Sequence, residues 1–271
     1  MSNQTKFVIF SDLDGTLLDQ NERLHPADAE LLKHGYPEVL LAIASGRPMH
    51  SIRRTIQALG LYDQEKMPLP VVSLNGAAVY AQGEDLCGVV NFDPFVQEKL
   101  VALLQEHRGA TIFFQDPDAE YTQWITSFGQ QALEQYWFNH RPFSSAKTDH
   151  SFCKIMCMSS EPDTLQEICD AVTGAELSVE TAYSMPTILE ITPKSVNKWD
   201  GVSKLVEKLG LYGVKIFAAG DGGNDVSMLK AADCSFAPLT SPPEVRRLAN
   251  KVIDTTCEGL ITPMLREAGL L

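Results

Sequence analysis

Asp12 and Asp14 close the apolar segment FVIFSDLDGTLL at residues 7–18, and Gly15 and Thr16 follow at once. Side chains alternate along a strand, so the two carboxylates would share a face and Leu13 would point the other way. Like charges held that close repel. A divalent cation between them, or a proton kept on one of them, would relieve the repulsion; a plain strand with an Asp-Gly turn is the structural alternative. Three more polar clusters stand at the end of an apolar run or the start of a helix: Ser45-Gly46-Arg47, Lys198, and Gly220-Asp221-Gly222-Gly223-Asn224-Asp225. In open parallel sheets, ligands bind outside the carboxyl ends of strands. If the clusters converge, carboxylates without cysteine or histidine suit a hard cation, Mg²⁺. Hydroxyl, lysine and glycine-freed amides suit a phosphate. Taken singly, each has an innocent form: a capped turn, a solvated lysine, an acidic loop.

Other chemistries lack their residues. There is no GxxxxGK[ST], no complete GxGxxG after Gly220, and no GxSxG elbow. An aspartate nucleophile remains. A net charge of -13 argues against nucleic acid, and it makes the few basic residues near a phosphate site important. The six cysteines are scattered without a CxxC pair and read as free thiols, mostly buried. MSNQTK has no signal-peptide apolar region and no apolar stretch reaches membrane-spanning length, so a cytoplasmic, reduced protein without membrane contact is expected.

The elements that must hold these clusters alternate between short apolar runs and amphipathic segments, the pattern of an α/β fold with a doubly wound, mostly parallel sheet. Strands are expected at Phe7–Phe10, Val39–Ala44, Val71–Leu74 and Val214–Ala219, with helices at Pro26–His34, from Pro48 to Leu59, and at Asp225–Ala231, Pro243–Ala249 and Leu260–Glu267. Between about Gln82 and Thr192 the texture becomes more alternating and aromatic. Strands are expected there at Leu86–Phe92, Thr111–Gln115, Phe152–Met158, Leu177–Thr181 and Thr187–Ile191, and helices at Phe95–His107, Ser127–Trp137 and Asp163–Val172. The expected division is a core over 1–82 and 193–271 with an inserted α+β unit over 83–192, crossed near Ala81–Glu84 and Thr192–Lys194.

DLDGT, SGR, a lysine and GDGGND, in that order, resemble the four motifs of the haloacid dehalogenase superfamily of phosphohydrolases. The insertion resembles the large α/β cap of its Cof-like, type IIB branch, as do Asn75-Gly76-Ala77 and Asn197-Lys198. The resemblance implies a Rossmann-like core and an Mg²⁺-dependent phosphomonoesterase acting on a small phosphorylated metabolite, a sugar phosphate foremost. It implies that Asp12 attacks phosphorus, carries the aspartyl-phosphate and binds Mg²⁺. Asp14 would be acid and then base, lending its backbone carbonyl to the metal; Asp221 would be a ligand, with Asp225 in or just behind that shell. Ser45, the Gly46 amide, Lys198 and Asn224 would hold phosphoryl oxygens, helped by the Leu13 amide. Arg47 reads equally as an ion-pair partner or a substrate contact. Glu120, Tyr121, Trp124, His140 and Arg141 are the cap residues that could face the core, and Arg141 is the chosen anion contact.

The chain departs from that branch at Trp199, where a glycine is usual, and over Phe236–Thr240. A phosphomutase or phosphotransferase sharing the aspartyl-phosphate is the rival activity. A non-catalytic metabolite-binding protein is the rival from another class. Oligomeric state has no signature here.

Overall fold

The structure, a computed structural model, describes residues 5–62, 67–135, 138–146 and 150–271. Its larger sheet is built on β1 (Phe7–Ser11), flanked by β2 (Val39–Ala44) and by β12 (Lys215–Ala219). On the β2 side follow β3 (Val71–Ser73), β4 (Ala78–Ala81) and β5 (Asp85–Val89); on the other side lie β13 (Cys234–Pro238) and β14 (Lys251–Ile253). From β14 to β3 all pairs are parallel; β4 and β5 add antiparallel. Both faces are covered, which explains the continuous apolar run of β1. Ile9 packs in a cluster with Leu41, Ile43 and Ile52, while Val8 and Phe10 pack with Ala42, Val202 and Leu205.

The covering helices are α1 (Pro26–His34), α2 (Met49–Ala58), α6 (Lys198–Lys208), α7 (Val226–Ala231), α8 (Pro243–Leu248), α9 (Thr255–Glu258) and α10 (Ile261–Glu267). Two starts are fixed by caps. The buried Asp28 carboxylate in α1 accepts the N–H of Leu260 and Ile261, each at 2.8 Å, tying α10 to α1. Asn197 Oδ1 accepts from the N–H of Trp199 and Asp200 while Asp200 answers the N–H of Asn197, so α6 begins at Lys198.

The second sheet holds β6 (Thr111–Gln115), β7 (Glu120–Thr122), β8 (His140–Pro142), β9 (Lys154–Met158), β10 (Val179–Met185) and β11 (Ile188–Pro193), in the order β10-β11-β9-β6-β7-β8. One face carries α3 (Pro94–Leu104) and α5 (Pro162–Gly174) over a core of Leu100, Ile112, Ile155 and Ile168; the other carries α4 (Ser127–Gln135). The end of the helix expected at Ser127–Trp137 lies outside the described residues.

Differences from the sequence reading have physical causes. The strand expected at Leu86–Phe92 within the inserted unit is β5, and it pairs with β4 in the larger sheet, not the smaller. Asp93 caps α3 through the N–H of Phe95 and Val96, so the chain changes sheets between Val89 and Asp93. Trp199 packs half-buried beside Val202 and Leu205. No helix among the described residues is long and apolar enough to cross a membrane.

Candidate active site

The winding of the larger sheet reverses at β1, and the loops leaving β1, β2 and β12 meet there with the start of α6. Asp12 donates its N–H to Ala219 O at 2.9 Å, which brings the β1 loop against the end of β12. Lys198, fully buried, donates to Asp12 Oδ1 at 2.5 Å and to Asp225 Oδ1 at 2.6 Å. The second oxygen of Asp225 accepts the N–H of Asp221 and of Gly222 at 3.0 and 2.9 Å, so the acidic loop folds round its own carboxylate. Gly15 has φ +74°, and a Cβ there would lie 2.4 Å from Asp221 Oδ2; only glycine lets Asp221 close on the β1 loop. Thr16 Oγ1 then donates to Asp221 Oδ1 at 3.0 Å.

Asp12, Asp221 and Asp225 offer carboxylate oxygens all within 4.8 Å of one another. Three oxygens with no nitrogen or sulfur fit a hard divalent cation, so the donor set suits Mg²⁺. Burial, then Asp225 and Asp221, pushes the Asp12 carboxyl well above its ordinary range against the pull of Lys198. Burial and Asp225 raise Asp221 to about 6. Burial alone would discharge Lys198, but Asp12 and Asp225 more than offset it and hold the ammonium above its usual range.

Asp14 stands outside that triad. Arg47 Nε donates to its Oδ2 at 2.7 Å and Nη2 to its Oδ1 at 2.5 Å, while Nη2 also reaches Glu22 Oε1 at 2.7 Å and Nη1 reaches Thr55 Oγ1 at 2.8 Å. Of the two readings of Arg47, the ion pair is what the geometry shows, and its partner is Asp14. Ser45 Oγ accepts the Arg47 N–H at 3.1 Å, and Ser45 and Gly46 line a cavity of about 380 Å³ together with Asp12, Asp14 and Asp221. Leu13 is buried in the core on the opposite side, as the alternation requires.

Two residues that carry no motif complete the site. Lys154 on β9 donates to Gly46 O at 2.6 Å and to Glu190 Oε1 on β11. Glu190 Oε2 accepts from Asn75 Nδ2 at 2.8 Å and from Asn224 Nδ2 at 3.1 Å; Asn224 Nδ2 also reaches Asn75 Oδ1 at 3.1 Å. Asn224 is therefore at the cavity, with its amide engaged by protein. A Cβ at Gly46 would stand 2.9 Å from Glu190 Oε1, so the glycine makes room for this clasp. Although burial works against it, Lys154 and Asn75 hold the Glu190 carboxyl below its usual range. The sequence signal was a lysine and a glutamate inside apolar strand runs, FCKIMCM and ILEIT, where a charge needs a partner.

Arg141 is not at the cavity. Strand alternation puts Arg141 and Tyr121 on the face opposite Glu120: Tyr121 is buried in the second sheet's core, and exposed Arg141 lies 5.9 Å over its ring. Of the cap residues expected to face the core, Glu120 lines the cavity. The Trp124 indole instead donates to Ala110 O at 3.0 Å. The cysteines are all free: Cys153 and Cys157 are buried and pushed up to about 12 by that burial, whereas Cys257 is exposed.

Residues 9–264 match the sequence profile of haloacid dehalogenase-like hydrolases. The 5-amino-6-(5-phospho-D-ribitylamino)uracil phosphatase YcsE of Bacillus subtilis is 23% identical over 96% of this chain and 94% of its own length. The pyridoxal phosphate phosphatase YbhA of Escherichia coli is 27% identical over 94% of this chain and 96% of its own. Among solved structures, a subclass IIB sugar phosphatase superposes with TM-score 0.78 at 20% identity, covering 97% of this chain and 99% of that one, a likeness of fold.

Proposed function

The chain belongs to the haloacid dehalogenase-like hydrolases and is an enzyme of the phosphatase kind; from that premise we propose that it is an Mg²⁺-dependent phosphomonoesterase that hydrolyses small phosphorylated metabolites through an aspartyl-phosphate on Asp12. The observation that carries the proposal is the convergence on Asp12 of buried Lys198 and of Asp221 and Asp225.

Asp12 Oδ1 is tied to Lys198, which leaves its second oxygen to attack phosphorus. Lys198 offsets the charge of a phosphate entering an acidic site. A bound Mg²⁺ would be held by Asp12, Asp221 and the Asp14 carbonyl, with Asp225 behind them, and would neutralise charge on the transferred phosphoryl group. Ser45 Oγ and the Gly46 amide would hold phosphoryl oxygens. Asp14 would give its proton to the leaving oxygen and later take one from water. A protonated Asp14 cannot keep two charge-assisted bonds to Arg47, so proton loading and loosening of that clamp go together.

The second sheet and its helices would act as a cap over this centre, an inserted unit that ends near Thr192 before the core resumes over 193–271. The pairing of β5 moves the first crossing, on our reading, to residues 90–93. Relatives named for two phosphate monoesters support a small-metabolite substrate. A panel of sugar, nucleoside and cofactor monophosphates assayed for inorganic phosphate tests the proposal. Release with Mg²⁺ and silence in chelator are expected. Full activity in chelator would overturn the metal, and isomerised ester without phosphate would overturn hydrolysis.

A further inference from the structure

The roof of the cavity is one face of the second sheet, and its register fixes what that face presents. Gln115 pairs with both Glu120 and Lys154, Met158 pairs with Ile188, and Met156 pairs with Glu190, so alternate residues of four strands look the same way. Gln115, Glu120, Met156, Met158 and Ile188 line the cavity, with Phe138 beside them. Met156, Met158, Ile188 and Phe138 thus give the roof thioether and hydrocarbon, while Gln115 and Glu120 give it acceptors.

Charge on these walls is one-sided. Seven carboxylates and a single guanidinium, Arg47, line the cavity among the described residues. The cations around it are already engaged: Arg47 by Asp14 and Glu22, Lys154 by Glu190, Lys198 by Asp12 and Asp225. Beyond the phosphoryl position, a second anion on the substrate would meet Glu120 and Glu22, and among the described residues the lysines and the arginine at these walls are already paired.

Two buried acceptors are unmet as well. Gln115 and Glu120 are each 1% exposed, and Oε1 of each lacks a hydrogen-bond partner among the described residues. The other oxygen of Glu120 accepts the Asn139 N–H at 2.8 Å; its Oε1 lies 3.4 Å from His50 Nε2 without hydrogen-bond geometry. Buried acceptors of this kind are costly until a donor reaches them.

Resting on the phosphatase reading and deepening it, we infer that this site selects phosphomonoesters whose leaving group bears hydrogen-bond donors and a flat apolar portion and carries no second anion. Donors on the leaving group meet Gln115 and Glu120, and a ring lies against Met156 and Met158, where thioether–aromatic contact is favourable. The volume of about 380 Å³ admits one ring and its substituents.

The test is a matched set: para-(aminomethyl)benzyl, para-(hydroxymethyl)benzyl and para-carboxybenzyl phosphate, with glycerol phosphate and phosphoglycerate as a ring-free pair. In the wild type, kcat/KM for the cationic and neutral benzyl esters should exceed that for the carboxylate by at least about thirtyfold, since a like charge a few ångströms away is strongly disfavoured in such surroundings. Glycerol phosphate should likewise exceed phosphoglycerate, and the benzyl esters should have the lower KM. Glu120→Gln should narrow the charge discrimination about tenfold. Equal rates within both pairs, or preference for the anionic members, overturn the inference and leave the phosphatase reading standing. So does an unchanged ratio in Glu120→Gln. No phosphate from any member overturns that reading, and the inference with it.

Discussion

Replacing Lys154 by methionine keeps the length of its stem and removes one charge from a closed network. The ammonium is buried, and its partner Glu190 is only 4% exposed. Without it, Glu190 would be left with the amides of Asn75 and Asn224, neither of them charged. Breaking a buried pair in this way costs about 3–5 kcal/mol, because a carboxylate stays in the interior without compensation. Glu190 has one escape, to take up a proton. In the variant its folded pKa would stand above the unfolded value, so the deficit should be largest at neutral pH and shrink as pH falls toward about 4.5. Urea unfolding at pH 7.5 and pH 5 measures both numbers. Lys154→Met with Glu190→Leu removes both charges, and stability should return to within about 1–2 kcal/mol of wild type. Turnover should not return, because the Gly46 carbonyl and the Asn224 amide have lost the groups that orient them. A single variant less than about 1 kcal/mol weaker than wild type would refute the electrostatic reasoning. Wild-type kcat in the double variant would refute the positioning role.

Three further outcomes are expected. Because the fold raises Asp221 to about 6 from its ordinary 3.8, keeping it charged costs stability above that range; Asp221→Asn should stabilise the metal-free protein by about 1–3 kcal/mol at pH 7.5, a gain that fades as pH falls below about 6 and is gone by about pH 4. Mg²⁺ should then raise the melting temperature of wild type and not of this variant, and equal shifts would remove Asp221 from the metal site. Arg47→Lys keeps the charge but cannot grip both oxygens of Asp14 at once, so kcat should fall about tenfold or more with little change in unfolding free energy; unaltered kcat would show that the clamp is dispensable. Excess Ca²⁺ should inhibit the Mg²⁺ enzyme, since it accepts looser and higher coordination, and full activity in Ca²⁺ would contradict the proposed role of the metal.

The convergence of the candidate site was legible because each of its pieces is local. An apolar strand run followed within two residues by carboxylates, or a helix start at Asn197-Lys198, is written in consecutive letters, and the larger sheet brings those ends together. What escaped was short or distant. β4, β7, β8, β13 and β14 are three to five residues long, too short for periodicity to show. Lys154 and Gly46 are separated by 108 positions, so their bond follows from the register of β9 and not from any spacing in the chain. Arg141 was misplaced for the same reason: without the β7–β8 pairing, nothing tells which face of the strand it occupies.

The most direct test is to mix enzyme and a hydrolysable phosphomonoester with Mg²⁺, quench in acid within a turnover, and map the phosphorylated peptide by mass. A phosphoryl group on Asp12, labile to base and absent in Asp12→Asn, is the expected result. An unmodified Asp12 peptide, together with Asp12→Asn retaining more than about a thousandth of wild-type turnover, would contradict nucleophilic attack by Asp12.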